Sequence, residues 1–248
     1  MKNNRPLIIG HRGARKYAPE NSISSFNKAI ELKLDGVEFD CMSTSDGLPV
    51  VIHDDNLFKL TGVEIYLHKI PYVDLINLDI GKQYNAFYSG EKIPTLKEVL
   101  ELFSGSNMLL NIELKHQPHQ NRRFLTRVVE LIADMKNLPE IIISSFSRET
   151  LYNIGRIAPH LNRSLLMRVK AFFFVDAVFF ANMLAVNGIN PHISITNKFL
   201  VKLARMRGWR LITWTANNPD EIRKACNLGV DGIITDDPVL AREVIDNI

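Results

Sequence analysis

Two histidines in this chain stand where acid–base chemistry could be done. His11 follows the apolar run Leu7-Ile8-Ile9-Gly10, and His53 follows Val50-Val51-Ile52 and precedes Asp54. Between them, Gly36-Val37-Glu38-Phe39-Asp40 sets two carboxylates two residues apart. Further on, Asn111-Ile112-Glu113-Leu114-Lys115 repeats that spacing with Glu113 and Lys115. On a strand, residues i and i+2 share a face, so each pair points the same way. Imidazole titrates near about 6.5, which makes both of its forms accessible at neutral pH. Carboxylates converging on one spot repel unless a cation neutralises them. Oxygen-only ligands favour Mg²⁺ or Ca²⁺ over zinc, with Mn²⁺ also admissible. A lone strand-end histidine is commonly a packed core residue, and a lone acid commonly pairs with Arg or Lys. Together the groups point to hydrolysis of a phosphate ester: His11 and His53 as acid and base, Glu38, Asp40 and Glu113 around one divalent cation. Lys115 and Arg12 would oppose charge building on the phosphate oxygens. Arg12 reads equally well as a brace for the carboxylates.

The bulk numbers restrict the class. The chain has 248 residues, 46% hydrophobic and 23% charged, which suits a globular protein rather than a disordered one. A formal charge of +3, with scattered Lys and Arg and no basic tract, gives no footprint for nucleic acid. Cys41 and Cys226 make neither a zinc spacing nor a disulfide framework, and read as small buried hydrophobes. They are compatible with a reducing compartment. The polar start, residues 1–6, has no signal-peptide pattern, and a cytoplasmic protein is expected. A Phe-rich run at 171–186, interrupted by Asp176 and Asn182, is shorter than the roughly 20 residues that span a bilayer. A buried or partner-facing helix is expected there, with no transmembrane segment. Oligomeric state is left open.

The elements that must position the polar groups alternate along the chain. Strands are expected at 7–10, 36–41, 108–114, 141–145, 164–168, 189–193, 210–215 and 232–235. Most are apolar and β-branched, as in a parallel sheet buried on both faces. Helices are expected at 21–32, 96–103, 121–135, 148–157, 172–185, 198–207, 220–228 and 238–245. Thr95 with Glu98 forms a capping box, and Gly208 and Gly229 sit at helix C-termini. Eight strand–helix units predict an α/β protein, a (β/α)8 TIM barrel, whose functional groups lie at the C-terminal ends of the strands. His11, Glu38, Asp40, Glu113 and Trp214 fall at such ends, and His192 lies near one. An extra strand at 48–53 precedes a poorly periodic stretch. The whole chain, 1–248, reads as one domain with 54–93 as an inserted subdomain after the second strand.

The ordered motifs resemble the glycerophosphodiester phosphodiesterase family: His11-Arg12-Gly13, Pro19-Glu20-Asn21-Ser22, Val37-Glu38-Phe39-Asp40, 46–54 ending in Ile52-His53-Asp54, 93–100, Ile112-Glu113-Leu114-Lys115, Ser144-Ser145-Phe146, 213–217 and 229–238. The resemblance covers nearly the whole chain. It implies a TIM barrel with a small insertion after the second strand. It also implies His11 and His53 as the catalytic pair, Glu38, Asp40 and Glu113 as metal ligands, and Arg12 and Lys115 on the phosphate. Glu20 would lie near the site, and Trp214 would line the pocket for the alcohol portion. Ser22 stands where the family usually has Thr, Cys41-Met42-Ser43 replaces a Val-Gln-Leu-like run, and the Phe-rich fifth helix is less typical.

The expected reaction is metal-dependent hydrolysis of a small-molecule glycerophosphodiester to sn-glycerol 3-phosphate and an alcohol. The first nucleophile is water or the glycerol 2-hydroxyl, and either histidine could be the base. One alternative is lysophospholipase D-type activity on lipid substrates, which calls for an apolar groove at the mouth. The other is a non-catalytic phosphate-binding domain, which loss of a histidine or an acid would favour; all are present.

Overall fold

The computed structural model describes residues 5–117, 122–168 and 174–248. Eight parallel strands close a barrel: β1 (Leu7–His11), β2 (Gly36–Ser43), β4 (Leu109–Leu114), β5 (Ile141–Ser145), β6 (Asn162–Met167), β7 (Gly188–Pro191), β8 (Arg210–Thr213) and β9 (Gly232–Thr235). β1 pairs with β2 on one side and with β9 on the other, which closes the ring. β3 (Pro49–Val51) is antiparallel to the end of β2, outside the ring. The helices are α1 (Ile23–Glu31), α2 (Phe58–Thr61), α3 (Tyr72–Leu75), α4 (Leu96–Phe103), α5 (Arg122–Asp134), α6 (Arg148–Ile157), α7 (Phe174–Met183), α8 (Lys198–Arg207), α9 (Pro219–Leu228) and α10 (Pro238–Asp246). The (β/α)8 architecture expected from the strand count is therefore present.

The two-residue period of the strands separates packing from chemistry. Every residue of β2 and β4 is buried. Val37, Phe39 and Cys41 join the large core between barrel and helices, so Glu38 and Asp40 face the interior. Phe26 of α1 sits edge-on against Phe39 at 5.4 Å and Phe103 of α4 at 5.8 Å. Fully buried aromatics of this kind are worth about 3–5 kcal/mol on truncation to Ala. Inside the barrel, Ile9, Leu109, Ile142, Ile212 and Ile234 form an apolar floor. His11, Trp214 and Asp236 each lie two residues beyond one of these isoleucines, on the same inward face.

Several expected boundaries shift. β1 runs one residue further, to His11, and β7 stops at Pro191 and β8 at Thr213. Past the end of β8, Trp214 pairs with His192 in an isolated parallel bridge rather than a strand. The extra strand shortens to Pro49–Val51, so His53 stands in the connection after it. Asn121 of the expected helix 121–135, and Phe172 and Phe173 of the Phe-rich helix, lie outside the described residues. In α7, Ala181 is buried while Phe179 is exposed. Among the described residues, no helix is long and apolar enough to cross a membrane.

The poorly periodic stretch after β3 is not structureless. It holds α2, α3 and two 3-10 turns, Leu67–Lys69 and Ala86–Tyr88. Its own small core joins Leu57, Leu67, Leu75 and Ile80 to Met42, Val50, Ile52 and Ile93. It is fastened to the β1–α1 loop, where the Tyr84 hydroxyl donates to the Lys16 carbonyl at 2.8 Å and that of Tyr88 to the Tyr17 carbonyl at 2.7 Å.

That loop turns sharply directly after His11. Arg12 and Gly13 both have positive φ, 54° and 78°. A Cβ on Gly13 would lie 2.3 Å from Ser25 Oγ and 2.9 Å from Ser25 Cβ, whereas one on Gly90 (φ +95°) would meet nothing within 4 Å. Both positions carry backbone strain on substitution, but only Gly13 adds a clash inside α1. Gly13→Ala is expected to destabilise the fold by about 1–3 kcal/mol more than Gly90→Ala in urea titrations. Equal losses would show that close packing of this loop on α1 does not set its course.

Candidate active site

The site lies at the C-terminal end of the barrel, where the inward faces of β1, β2 and β4 turn polar. Glu38 and Asp40 are 4% and 1% exposed. Register pairs Asp40 with Glu113 on the neighbouring strand. One oxygen from each of Glu38, Asp40 and Glu113 lies within 4.8 Å of the other two. Among the described residues, this is the one group of acids, histidines or cysteines gathered closely enough to hold a metal ion.

Two partly buried cations balance part of this charge. Lys115 Nζ is 2.9 Å from Asp40 Oδ1 and 2.7 Å from Glu113 Oε1. Arg12 Nε lies 3.3 Å from Asp40 Oδ2, and its NH1 is 2.7 Å from Glu20 Oε1. Asn21 Nδ2 also donates to Asp40 Oδ2, at 2.9 Å. Burial opposes ionisation of Asp40, yet Lys115, Arg12 and His53 outweigh it and hold the pKa at about 2. Glu38 behaves in the opposite way. Burial lifts it well above the usual carboxylate range, and Asp40 and Glu113 lift it further against Arg12 and Lys115. Glu113 is raised by burial and Asp40 despite Lys115. For Lys115, burial disfavours the ammonium, but Asp40 and Glu113 prevail and raise its pKa.

These observations bear on whether a divalent cation fits. The donors are all carboxylate oxygens, the set that Mg²⁺ and Ca²⁺ accept. Glu38 accepts from the Arg12 backbone N–H at 3.1 Å and lies 3.9 Å from His11 Nε2. A buried acid with its pKa driven up by its neighbours is a site where an added positive charge would be stabilised. Glu38, Asp40 and Glu113 could therefore hold the ion.

His11 faces this cluster, and His53 lies within electrostatic reach of it. His11 Nδ1 is 2.5 Å from Asp236 Oδ1, and His53 Nδ1 is 2.6 Å from Asp54 Oδ1. In each ring a carboxylate occupies Nδ1, and at His11 it is Nε2 that lies on the Glu38 side. Burial lowers the pKa of both rings below the ordinary value, opposed at His11 by Asp236 and at His53 by Asp40. The electrostatic influence of Asp40, Lys115 and Arg12 on His53 brings that residue into the same group, although it comes from the connection after β3.

Glu20 does not reach the acid cluster directly. It bridges Arg12 and Arg15, with Arg15 NH2 at 2.6 Å. Arg12 thus acts as a brace between Glu20 and Asp40, one of the two readings its sequence context allowed. Trp214 stands across the barrel from the acids. Its indole N–H donates to the Asn190 carbonyl at 2.8 Å, and its ring lies edge-on to Phe146 at 5.5 Å and His192 at 5.0 Å. The Arg168 guanidinium covers the Phe146 ring at 4.4 Å.

Four residues enter the site without having been singled out from sequence: Arg15, Asn21, Asn217 and Asp236. Asp236 had a legible signal, because it directly follows the last strand, two residues after Ile234, as His11 follows Ile9. Asn21 has φ 55°, and its backbone N–H donates to the Arg12 carbonyl at 3.0 Å. Its contact with Asp40 crosses from loop to strand and had no local signature.

With this geometry in place, the likeness to known proteins is specific. The model of the glycerophosphoryl diester phosphodiesterase family matches residues 11–240. A glycerophosphodiester phosphodiesterase of Caldanaerobacter subterraneus subsp. tengcongensis is 34% identical over 232 residues, 94% of this chain and 94% of that protein. One of Bacillus subtilis is 29% identical, over 98% of this chain and 88% of that protein. Among solved structures, an Oleispira antarctica phosphodiesterase in complex with the product sn-glycerol-3-phosphate matches with a TM-score of 0.88 at 29% identity, covering 98% of this chain and 97% of that one. Family match, relatives and barrel agree along nearly the full length: the chain belongs to the glycerophosphoryl diester phosphodiesterase family.

Proposed function

We propose that this protein hydrolyses glycerophosphodiesters to sn-glycerol 3-phosphate and a free alcohol, with one divalent cation (Mg²⁺, Ca²⁺ or Mn²⁺) held by Glu38, Asp40 and Glu113. The observation that carries the reading is the convergence of His11, the three acids and Lys115 at one barrel mouth. The phosphodiesterase relatives and the product complex of the Oleispira protein support the substrate class.

Each residue has a task that follows from its position. The cation, when bound, polarises the phosphoryl oxygens and neutralises charge that grows on them. Lys115, and Arg12 from behind Asp40, add positive charge to the same region. Neutral imidazole is the form favoured by burial, so one histidine can take the proton from the attacking hydroxyl. The other, protonated beside the phosphate anion, delivers a proton to the departing alkoxide. The P–O bond to the alcohol breaks as the bond to the nucleophile forms, and the proton count balances. The attacking oxygen belongs to water or to the glycerol 2-hydroxyl; in the second case water later opens the cyclic phosphate. Trp214 and Phe146 offer an apolar wall to the alcohol or glycerol portion. Two unpaired cysteines fit a reducing compartment, in keeping with a cytoplasmic enzyme.

A coupled assay for glycerol 3-phosphate release from several glycerophosphodiesters tests the reaction. Activity is expected to vanish in EDTA and to return with a single added divalent metal; full turnover after exhaustive chelation would exclude the metal. His11→Ala and His53→Ala are each expected to lower kcat by at least roughly 10²-fold. Near-normal turnover by either folded variant would remove that histidine from the mechanism.

A further inference from the structure

The barrel closes where its last strand meets its first, with Gly10 of β1 in register with Thr235 of β9. One residue beyond that pairing stand His11, the last residue of β1, and Asp236, just past β9. We propose that Asp236 is a positioning residue for His11: it fixes the ring in its Nδ1–H tautomer and turns a bare Nε2 into the mouth. The proposal rests on the reading of His11 as an acid–base group.

The hydrogen-bond inventory leads to this assignment. An ionised carboxylate can only accept, so the 2.5 Å contact from His11 Nδ1 to Asp236 Oδ1 makes Nδ1 the donor. In the neutral ring Nε2 then carries the lone pair, and it is Nε2 that lies on the Glu38 side, at 3.9 Å. Asp236 is itself held. Asn217 Nδ2 donates to its second oxygen at 2.8 Å, and its own backbone N–H donates to Asn217 Oδ1 at 2.9 Å. Asn217 Oδ1 also accepts from the Thr235 hydroxyl at 3.3 Å, while the Asn217 backbone N–H donates to Glu221 Oε2 at 3.0 Å. The Asn217 amide therefore cannot flip without losing these donors, and its Nδ2 stays aimed at Asp236. Arg15 NH1, at 3.7 Å from Asp236 Oδ1, adds charge on the same side. The chain Asn217–Asp236–His11 reads in one direction, and so does the ring at its end.

That directionality makes a test that simple loss of a surface ion pair would not pass. In Asp236→Asn the new amide must offer its oxygen to Asn217 Nδ2, so its NH2 faces His11 Nδ1. Nδ1 must then accept, and the proton moves to Nε2. We expect kcat to fall by roughly 10²–10⁴-fold, as when an orienting carboxylate is lost from a histidine dyad, with KM changed by less than about threefold. Adding Asn217→Asp gives the amide N–H an acceptor and turns the amide oxygen back to His11. The double variant is expected to recover at least about tenfold in kcat over the single one. Imidazole ¹⁵N resonances should show His11 protonated at Nδ1 in the native protein and at Nε2 in Asp236→Asn.

A single variant within about threefold of native kcat would overturn the proposal. So would a double variant that folds with no recovery, or a native His11 protonated at Nε2. Native protein that shows the Nδ1–H tautomer yet releases no glycerol 3-phosphate would overturn the functional reading and leave the tautomer assignment standing.

Discussion

Asp40 is a fully buried carboxylate that stays ionised, and the geometry of the mouth depends on how that is achieved. Burying an unpaired charge is prohibitive, so each lone pair must meet a donor. Lys115 Nζ at 2.9 Å, from just after β4, and Asn21 Nδ2 at 2.9 Å, from the β1–α1 loop, meet the two Asp40 oxygens, and the Arg12 guanidinium of that same loop adds positive charge with Nε 3.3 Å away. Lys115 is thereby held beside Glu113, Arg12 is held against Glu20, and the β1–α1 loop is drawn across the barrel end. What this arrangement leaves unsettled electrostatically is Glu38, whose carboxyl is pushed up by burial and by its two acidic neighbours. Gathered carboxylates whose ionisation is held back by burial and by one another are the physical basis for a cation there, because added positive charge favours their ionised forms.

The scaffold makes that arrangement affordable. Ile9, Ile212 and Ile234 lie one inward position below His11, Trp214 and Asp236, while on β4 a buried Asn111, level with Glu38, stands between Leu109 and Glu113. The segment between β3 and α4 brings its own small core and is tied by Tyr84 and Tyr88 to the loop that carries Arg12 and Arg15. His53 stands at the start of that segment, within electrostatic reach of Asp40, Lys115 and Arg12. Positions on opposite sides of the site are thus set by two packing units that are hydrogen-bonded to each other.

Most of the barrel was legible because buried parallel strands and amphipathic helices leave strong periodic signals. The pairs Glu38/Asp40 and Glu113/Lys115 were legible for the same reason, since a two-residue period puts each pair on one face. The capping box at Thr95 and Glu98 was equally direct, being local. What was missed is long-range or short. α2 and α3 are single turns of four residues, too brief to show a helical period. Trp214 and His192 lie past their strands because one isolated bridge joins them. Asn21 holds Asp40 through a left-handed turn, and Asp236 meets His11 only because the barrel closes. Neither contact can be read without knowing that β9 lies beside β1.

The central claim is that the three acids at the mouth form a divalent-cation site. Anomalous diffraction from crystals of the protein soaked in Mn²⁺ tests it most directly. The account predicts one strong peak within about 2.0–2.6 Å of oxygens from Glu38, Asp40 and Glu113, lost in Asp40→Asn crystals. A map with no peak at the three acids, or with Mn²⁺ bound only elsewhere, would contradict it.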